Sequence, residues 1–70
     1  MGLTPQELGK RLQEAREAMS LSQEQAATAI EVTRERIAGL ETGDETINSL
    51  DIHRLSKLYK RTLRSILVVE

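Results

Sequence analysis

The 70-residue chain has no cysteine. Disulfide staples, Cys-based zinc sites and thiol nucleophiles are therefore excluded, and the composition suits a reducing, intracellular setting. The one histidine, His53, has no second imidazole with which to share a metal, so a surface role is expected of it. Long apolar runs are missing as well. The longest, Ile66-Leu67-Val68-Val69, is far short of the ~20 residues a membrane span needs, and the N-terminus lacks a basic-then-apolar signal layout. No Gly-rich phosphate loop follows a strand, no strand framework exists to hold a pocket, and the carboxylates are spread over solvated helix faces. Catalysis, a metal, a cofactor and a membrane are therefore not expected. A positive balance is absent too. Ten Lys and Arg stand against eleven Asp and Glu, a formal net charge of −1 at pH 7, which argues mildly against a strongly basic nucleic-acid binder. The charge is uneven, with three basic and five acidic side chains in residues 1–31 against seven and six in residues 32–70. Local placement has to decide what the total does not.

What is present is a series of helix starts. Seventy residues make one small domain, 1–70, whose core supplies only ~3–5 kcal/mol of net stability. Thr4-Pro5-Gln6-Glu7 carries an N-cap, a proline at the first helical position and a capping-box glutamate, with Leu3 and Leu8 spaced as a hydrophobic staple. Leu8, Leu12, Ala15 and Met19 then recur on one helical face. Ser22 with Gln25 opens a second helix, with Ala26, Ala27 and Ile30 facing inward. Thr33 opens a third, with Val32 and Ile37 spaced as a staple and Ile37 and Leu40 inward. Thr42-Gly43-Asp44 is a stop and a turn. Asn48 or Ser49 opens a fourth, carrying Ile52, Leu55 and Tyr59, and Thr62 caps a last short turn with Leu63, Ile66 and Leu67. No segment alternates with period two over strand length. The expected fold is an all-α bundle of five short helices, at about 5–19, 23–30, 34–41, 49–59 and 63–67.

The second and third helices are about two turns each, separated by Glu31-Val32. Isolated helices under ~12 residues are marginal in water, so this pair persists only when packed at a steep angle on other helices. That is the helix-turn-helix arrangement, in which the second helix is held out for a DNA major groove. A groove ~12 Å wide accepts one helix, which makes shortness useful.

At Gln23, Ala27, Val32, Ile37, Leu40, Glu41 and Gly43 the pattern resembles the helix-turn-helix of the phage-repressor and Cro-like family, also called the xenobiotic-response-element family. The run INSLDIHRLSKLYKRTLRSIL from Ile47 resembles that family's fourth and fifth helices, in particular those of members found beside or fused to metallopeptidases of the ImmA/IrrE type. The resemblance covers residues 5–67. It implies a lambda-repressor-like DNA-binding fold in a cytoplasmic protein of prokaryotic or phage origin. It also implies a transcription regulator, either a repressor or an antitoxin-like autoregulator, that binds a pseudo-palindromic double-stranded operator as a homodimer. Carried onto this chain, it places Gln23 on a phosphate and Thr33, Arg34 and Glu35 at base edges. Arg34 is the leading candidate, because its guanidinium fork matches guanine O6 and N7. Arg36 is placed on a phosphate or a base, and Thr42 on the backbone. Glu41 is expected to be structural, pairing with an arginine of the first helix such as Arg16.

Two departures bear on these expectations. The family often has Gly in the turn where this chain has Glu31, so a left-handed backbone there would cost ~1–2 kcal/mol. Ala38 and Gly39 stand where relatives present longer polar side chains; either the backbone approaches DNA closely or few bases are read, and the second is expected. Other features stay open. Arg54, Lys57, Lys60, Arg61 and Arg64 track a phosphate strand or form an ordinary polar face. Leu58 and Leu67-Val68-Val69 complete the core or form a dimer seam, and the ending on Val-Val-Glu fits a domain cut from something longer as well as a whole protein. An interaction module of the same fold, binding a partner toxin or peptidase, is the alternative function.

Overall fold

The structure, a computed structural model, describes residues 3–67; Val68 and Val69 of the apolar tail lie outside the described residues. The chain folds into α1 (Pro5–Ala18), α2 (Gln23–Ala29), α3 (Arg34–Thr42), α4 (Ser49–Leu58) and α5 (Leu63–Leu67), with no strand among the described residues. None of these helices is long and apolar enough to cross a membrane.

Each helix begins where a short polar side chain can satisfy an otherwise unpaired amide. Thr4 Oγ1 accepts from the Glu7 N–H at 3.1 Å, and Glu7 Oε1 accepts from the Thr4 N–H at 3.0 Å. Those bonds from Thr4 hold the Glu7 carboxyl below its usual pKa. Ser22 and Gln25 make the same reciprocal pair at 3.0 and 2.8 Å. Thr33 Oγ1 accepts from the Arg36 N–H, Asn48 Oδ1 from the Asp51 N–H and Thr62 Oγ1 from the Ser65 N–H. The fourth cap is thus Asn48, not Ser49.

Three helices end in the same way. Beyond α1, α2 and α4 the chain turns through a left-handed residue, Ser20 (φ 58°), Glu31 (φ 62°) and Lys60 (φ 55°). In each case the amides of that residue and the next bond back into the last turn: Ser20 to Glu17 O and Leu21 to Arg16 O, Glu31 to Thr28 O and Val32 to Ala27 O, Lys60 to Lys57 O and Arg61 to Ser56 O. This is the Schellman geometry, which glycine usually supplies. Here side-chain-bearing residues hold it, each against the ~1–2 kcal/mol cost of left-handed backbone. Only α3 ends on a glycine, Gly43 (φ 87°).

The apolar stripes meet in one core of Leu12, Ala15, Ala26, Ala27, Ile30, Ile37, Leu40, Ile52, Leu55, Tyr59 and Ile66, with Leu8, Met19, Leu21, Val32, Ile47 and Leu58 against its edge. Leu63 and Leu67 stay exposed, because a helix of five residues turns only one of its apolar side chains, Ile66, under the bundle; of the residues left open between core and dimer seam, Leu58 packs against the core and Leu67 does not. α1 packs chiefly on α3, and α3 on α2. The α1–α3 crossing is backbone-close. A Cβ at Gly9 would lie 2.6 Å from the Glu41 carbonyl carbon and closer still to the Leu40 and Glu41 oxygens.

A charged group sits in that same interface. Arg16, 8% exposed, donates from Nε to Glu41 Oε2 at 2.7 Å, from Nη2 to Glu41 Oε1 at 3.1 Å and from Nη1 to Leu21 O at 2.7 Å. The pairing expected of Glu41 is present, and it ties α1 to α3 and to the loop entering α2. Hydrogen bonding to Glu41 outweighs burial and holds the guanidinium above its ordinary pKa.

Candidate nucleic-acid interface

α2 and α3 are joined by Ile30, Glu31, Val32 and Thr33. The left-handed Glu31 reverses the chain, the Val32 N–H closes back on Ala27 O at 2.9 Å, and Val32 drops its side chain against the core. The small buried Ala26 and Ala27 let α2 approach α3. α3 then buries Ile37, Leu40 and Glu41 and leaves its first residues, Thr33, Arg34 and Glu35, on the surface.

The residues singled out from sequence do not all share one environment. Arg34 is exposed and makes no hydrogen bond or ion pair among the described residues; its guanidinium is available to a ligand. Glu35 is exposed beside it. Thr33 is also exposed, and its hydroxyl oxygen already accepts the Arg36 N–H at 3.1 Å, leaving its O–H to donate. Gln23, at the start of α2, is half-buried, and its Nε2 donates to Glu41 Oε1 at 3.0 Å. One of its two amide hydrogens is thus held by the buried carboxylate, which fixes the direction of the other. Thr42 turns its hydroxyl back to Gly39 O at 3.2 Å.

Arg36 differs from Arg34. Its Nη1 donates to Glu45 Oε1 at 2.8 Å, and its Nη2 to Asp51 Oδ2 at 3.1 Å and Thr46 O at 3.2 Å. Its side chain is 23% exposed. Bonds to Glu45, then Asp51, hold it firmly protonated. It ties the first turn of α3 to the α3–α4 loop and to the first turn of α4. These partners were not legible beforehand, since Glu45 and Asp51 lie outside α3 and no helical spacing relates them to Arg36. Of the basic set on α4 and α5, Arg54 donates to Ile30 O at 3.3 Å. It thereby covers the C-terminal end of α2, where the helix dipole favours a cation. Lys57, Lys60, Arg61 and Arg64 are exposed. Among the described residues no cluster of acidic or His side chains could hold a metal ion.

Two short helices joined through a left-handed turn, the second exposing its N-terminal end, define a helix-turn-helix. The comparisons carry this to a family: residues 7–64 match the family model described as "Helix-turn-helix domain", and the chain belongs to that family. Among solved structures, it is similar to the restriction-modification controller protein C.AhdI from Aeromonas hydrophila, at 29% identity and a TM-score of 0.84 over 89% of this chain and 94% of that one. It also superimposes on two crystal structures of the clp gene regulator ClgR from Corynebacterium glutamicum, both at 19% identity and over 91% of this chain. One has a TM-score of 0.84 over 83% of its own chain, the other 0.86 over 68%. At that identity the ClgR likeness speaks for the fold alone. Comparison with curated proteins finds no match.

Proposed function

We propose that this protein is a sequence-selective double-stranded DNA-binding regulator of transcription, a repressor or autoregulator, that inserts α3 (Arg34–Thr42) into the major groove. The observation that carries the reading is the guanidinium of Arg34, without a partner among the described residues, at the exposed start of α3, the position from which a recognition helix meets base edges. Similarity to C.AhdI, a restriction-modification controller protein, supports the class. Arg34 reads guanine through O6 and N7, and Thr33 and Glu35 flank it at the base edges. Gln23, held by Glu41, donates its remaining amide hydrogen to a phosphate and sets the register. Thr42 reaches the DNA backbone from the far end of α3 only by giving up its hydroxyl's bond to Gly39 O. Arg36, engaged by Glu45 and Asp51, orients α3 rather than reading DNA. A two-fold homodimer presents two such helices to half-sites roughly one helical turn apart, ~34 Å.

The test is selection from a random duplex pool, followed by binding measurements at several salt concentrations. We expect a two-fold symmetric site with guanine in each half. Arg34→Ala should lower affinity by ~1–3 kcal/mol and flatten the preference at that guanine alone. With ~3–5 phosphates engaged per subunit, log affinity should fall against log salt with a slope near −0.9 per phosphate. Failure to enrich any duplex at low salt, or a flat salt response, would overturn the reading. A second reading, a module that binds a protein partner such as a toxin or peptidase, is favoured by the exposed Leu50, Leu63 and Leu67. It would prevail if such a partner bound Arg34→Glu as well as the wild type while no duplex bound either.

A further inference from the structure

We infer that Glu45, a loop residue outside α3, is a specificity-determining base reader that supplies the acceptor Gly39 cannot; the inference rests on the DNA-binding reading above. By the 3.6-residue repeat, Glu35, Ala38, Gly39 and Thr42 share the face of α3 away from Ile37, Leu40 and Glu41, with Arg34 at its edge. The middle of that face carries only a methyl group and a hydrogen, and the Thr42 hydroxyl is turned back on the helix. α3 itself therefore offers no hydrogen-bonding side chain there. The space is not empty. A Cβ added to Gly39 would run into Glu45 Oε2 and lie 2.9 Å from Glu45 Cγ and 3.0 Å from its Cδ. The carboxylate is folded flat onto the helix, where only glycine admits it.

It is also held. The Glu45 N–H donates to Gly39 O at 3.1 Å, and Oε1 accepts from Arg36 at 2.8 Å, with Arg36 braced from behind by Asp51 and Thr46 O. Oε2 accepts no hydrogen bond among the described residues, and the side chain is 42% exposed. A fixed carboxylate oxygen with open lone pairs on a groove-facing surface is an acceptor in search of a donor. Arg36 offsets its charge, so the approach to DNA is not one of bare like charges. In the major groove guanine and thymine present acceptors at the nearest positions. Adenine sets its N6 donor beside the N7 acceptor, whereas cytosine presents the N4 donor alone. A carboxylate paired through one oxygen therefore selects cytosine. Arg36 is the positioning residue for this contact.

The experiment is the same duplex selection, run side by side on the wild type, Glu45→Gln and Gly39→Ala, with helix circular dichroism on each. The expected wild-type half-site contains one cytosine, besides the guanine read by Arg34, preferred over other bases roughly tenfold. Glu45→Gln keeps its amide oxygen on Arg36 and turns an N–H donor outward, and should move that position from cytosine toward a base that presents acceptors, guanine or thymine. Gly39→Ala removes a helix-weakening glycine but pushes the carboxylate aside, and should erase the preference there while leaving the rest of the site intact. Equal base preferences in all three proteins, or a loss spread evenly over the site, would show Glu45 to be a structural tether only and overturn the inference while leaving the DNA-binding reading standing. No enriched duplex for the wild type would overturn both.

Discussion

Replacing Glu41 with alanine tests the energetics on which the helix-turn-helix is mounted. The Glu41 carboxylate accepts from Arg16 Nε and Nη2 and from Gln23 Nε2. Removing it leaves the 8%-exposed Arg16 with Leu21 O as its remaining strong acceptor. A buried cation stripped of its partner costs ~3–5 kcal/mol, and a domain of this size has only ~3–5 kcal/mol to lose. Glu41→Ala should therefore sit near its unfolding midpoint at room temperature in buffer. Removing both charges with apolar residues of similar volume, Arg16→Met with Glu41→Leu, should restore stability to the wild-type level or as much as ~4 kcal/mol above it. Urea denaturation followed by helix circular dichroism measures all three proteins. A loss under ~1 kcal/mol in Glu41→Ala, the value of a solvated pair, would refute the claim that this pair is desolvated, as would a double variant no more stable than the single one. The restored double variant should still bind DNA more weakly, because the Gln23 amide has lost the acceptor that aims it.

Glu31→Gly should raise stability by about 1 kcal/mol, since glycine adopts φ 62° without the left-handed cost; an unchanged or lower urea midpoint would mean the turn is unstrained. Gly9→Ala should destabilise by ~1–3 kcal/mol or more through overpacking against the Leu40 and Glu41 carbonyls, although alanine is the better helix former by ~1 kcal/mol. A more stable Gly9→Ala protein would show that α1 and α3 can separate freely. Tyr59, 1% exposed, has its phenol pushed up to about 12, first by burial and then by Glu41. Its contribution to stability is whole below about pH 10, where the unfolded chain begins to ionise, and is lost as pH rises through about 12. The difference is worth about 2–3 kcal/mol. Tyrosinate absorbance should therefore rise together with loss of helix; a phenol titrating near pH 10 in a folded protein would contradict the burial argument.

The first three helix starts could be read from the amino-acid sequence alone, and the fourth was narrowed to Asn48 or Ser49. Thr4, Ser22, Thr33 and Asn48 each cap an amide three residues on, and a bond of that reach depends on neighbouring residues alone. The helix-turn-helix was legible for the same reason, since two capped segments with an apolar face are a local pattern, and the resemblance supplied the partner of Glu41. Tertiary structure set which of two similar arginines is engaged by partners among the described residues. Arg34 and Arg36 stand two residues apart in one helix, yet only Arg36 meets Glu45 and Asp51, which the fold brings up from a loop and the next helix. Gly9 and Gly39 likewise look like weak points in a helix until the crossing with α3 and the side chain of Glu45 fill the space beside them. Periodicity reports which face is buried; it carries no record of which distant group arrives there, because that is set by the angles at which the helices cross.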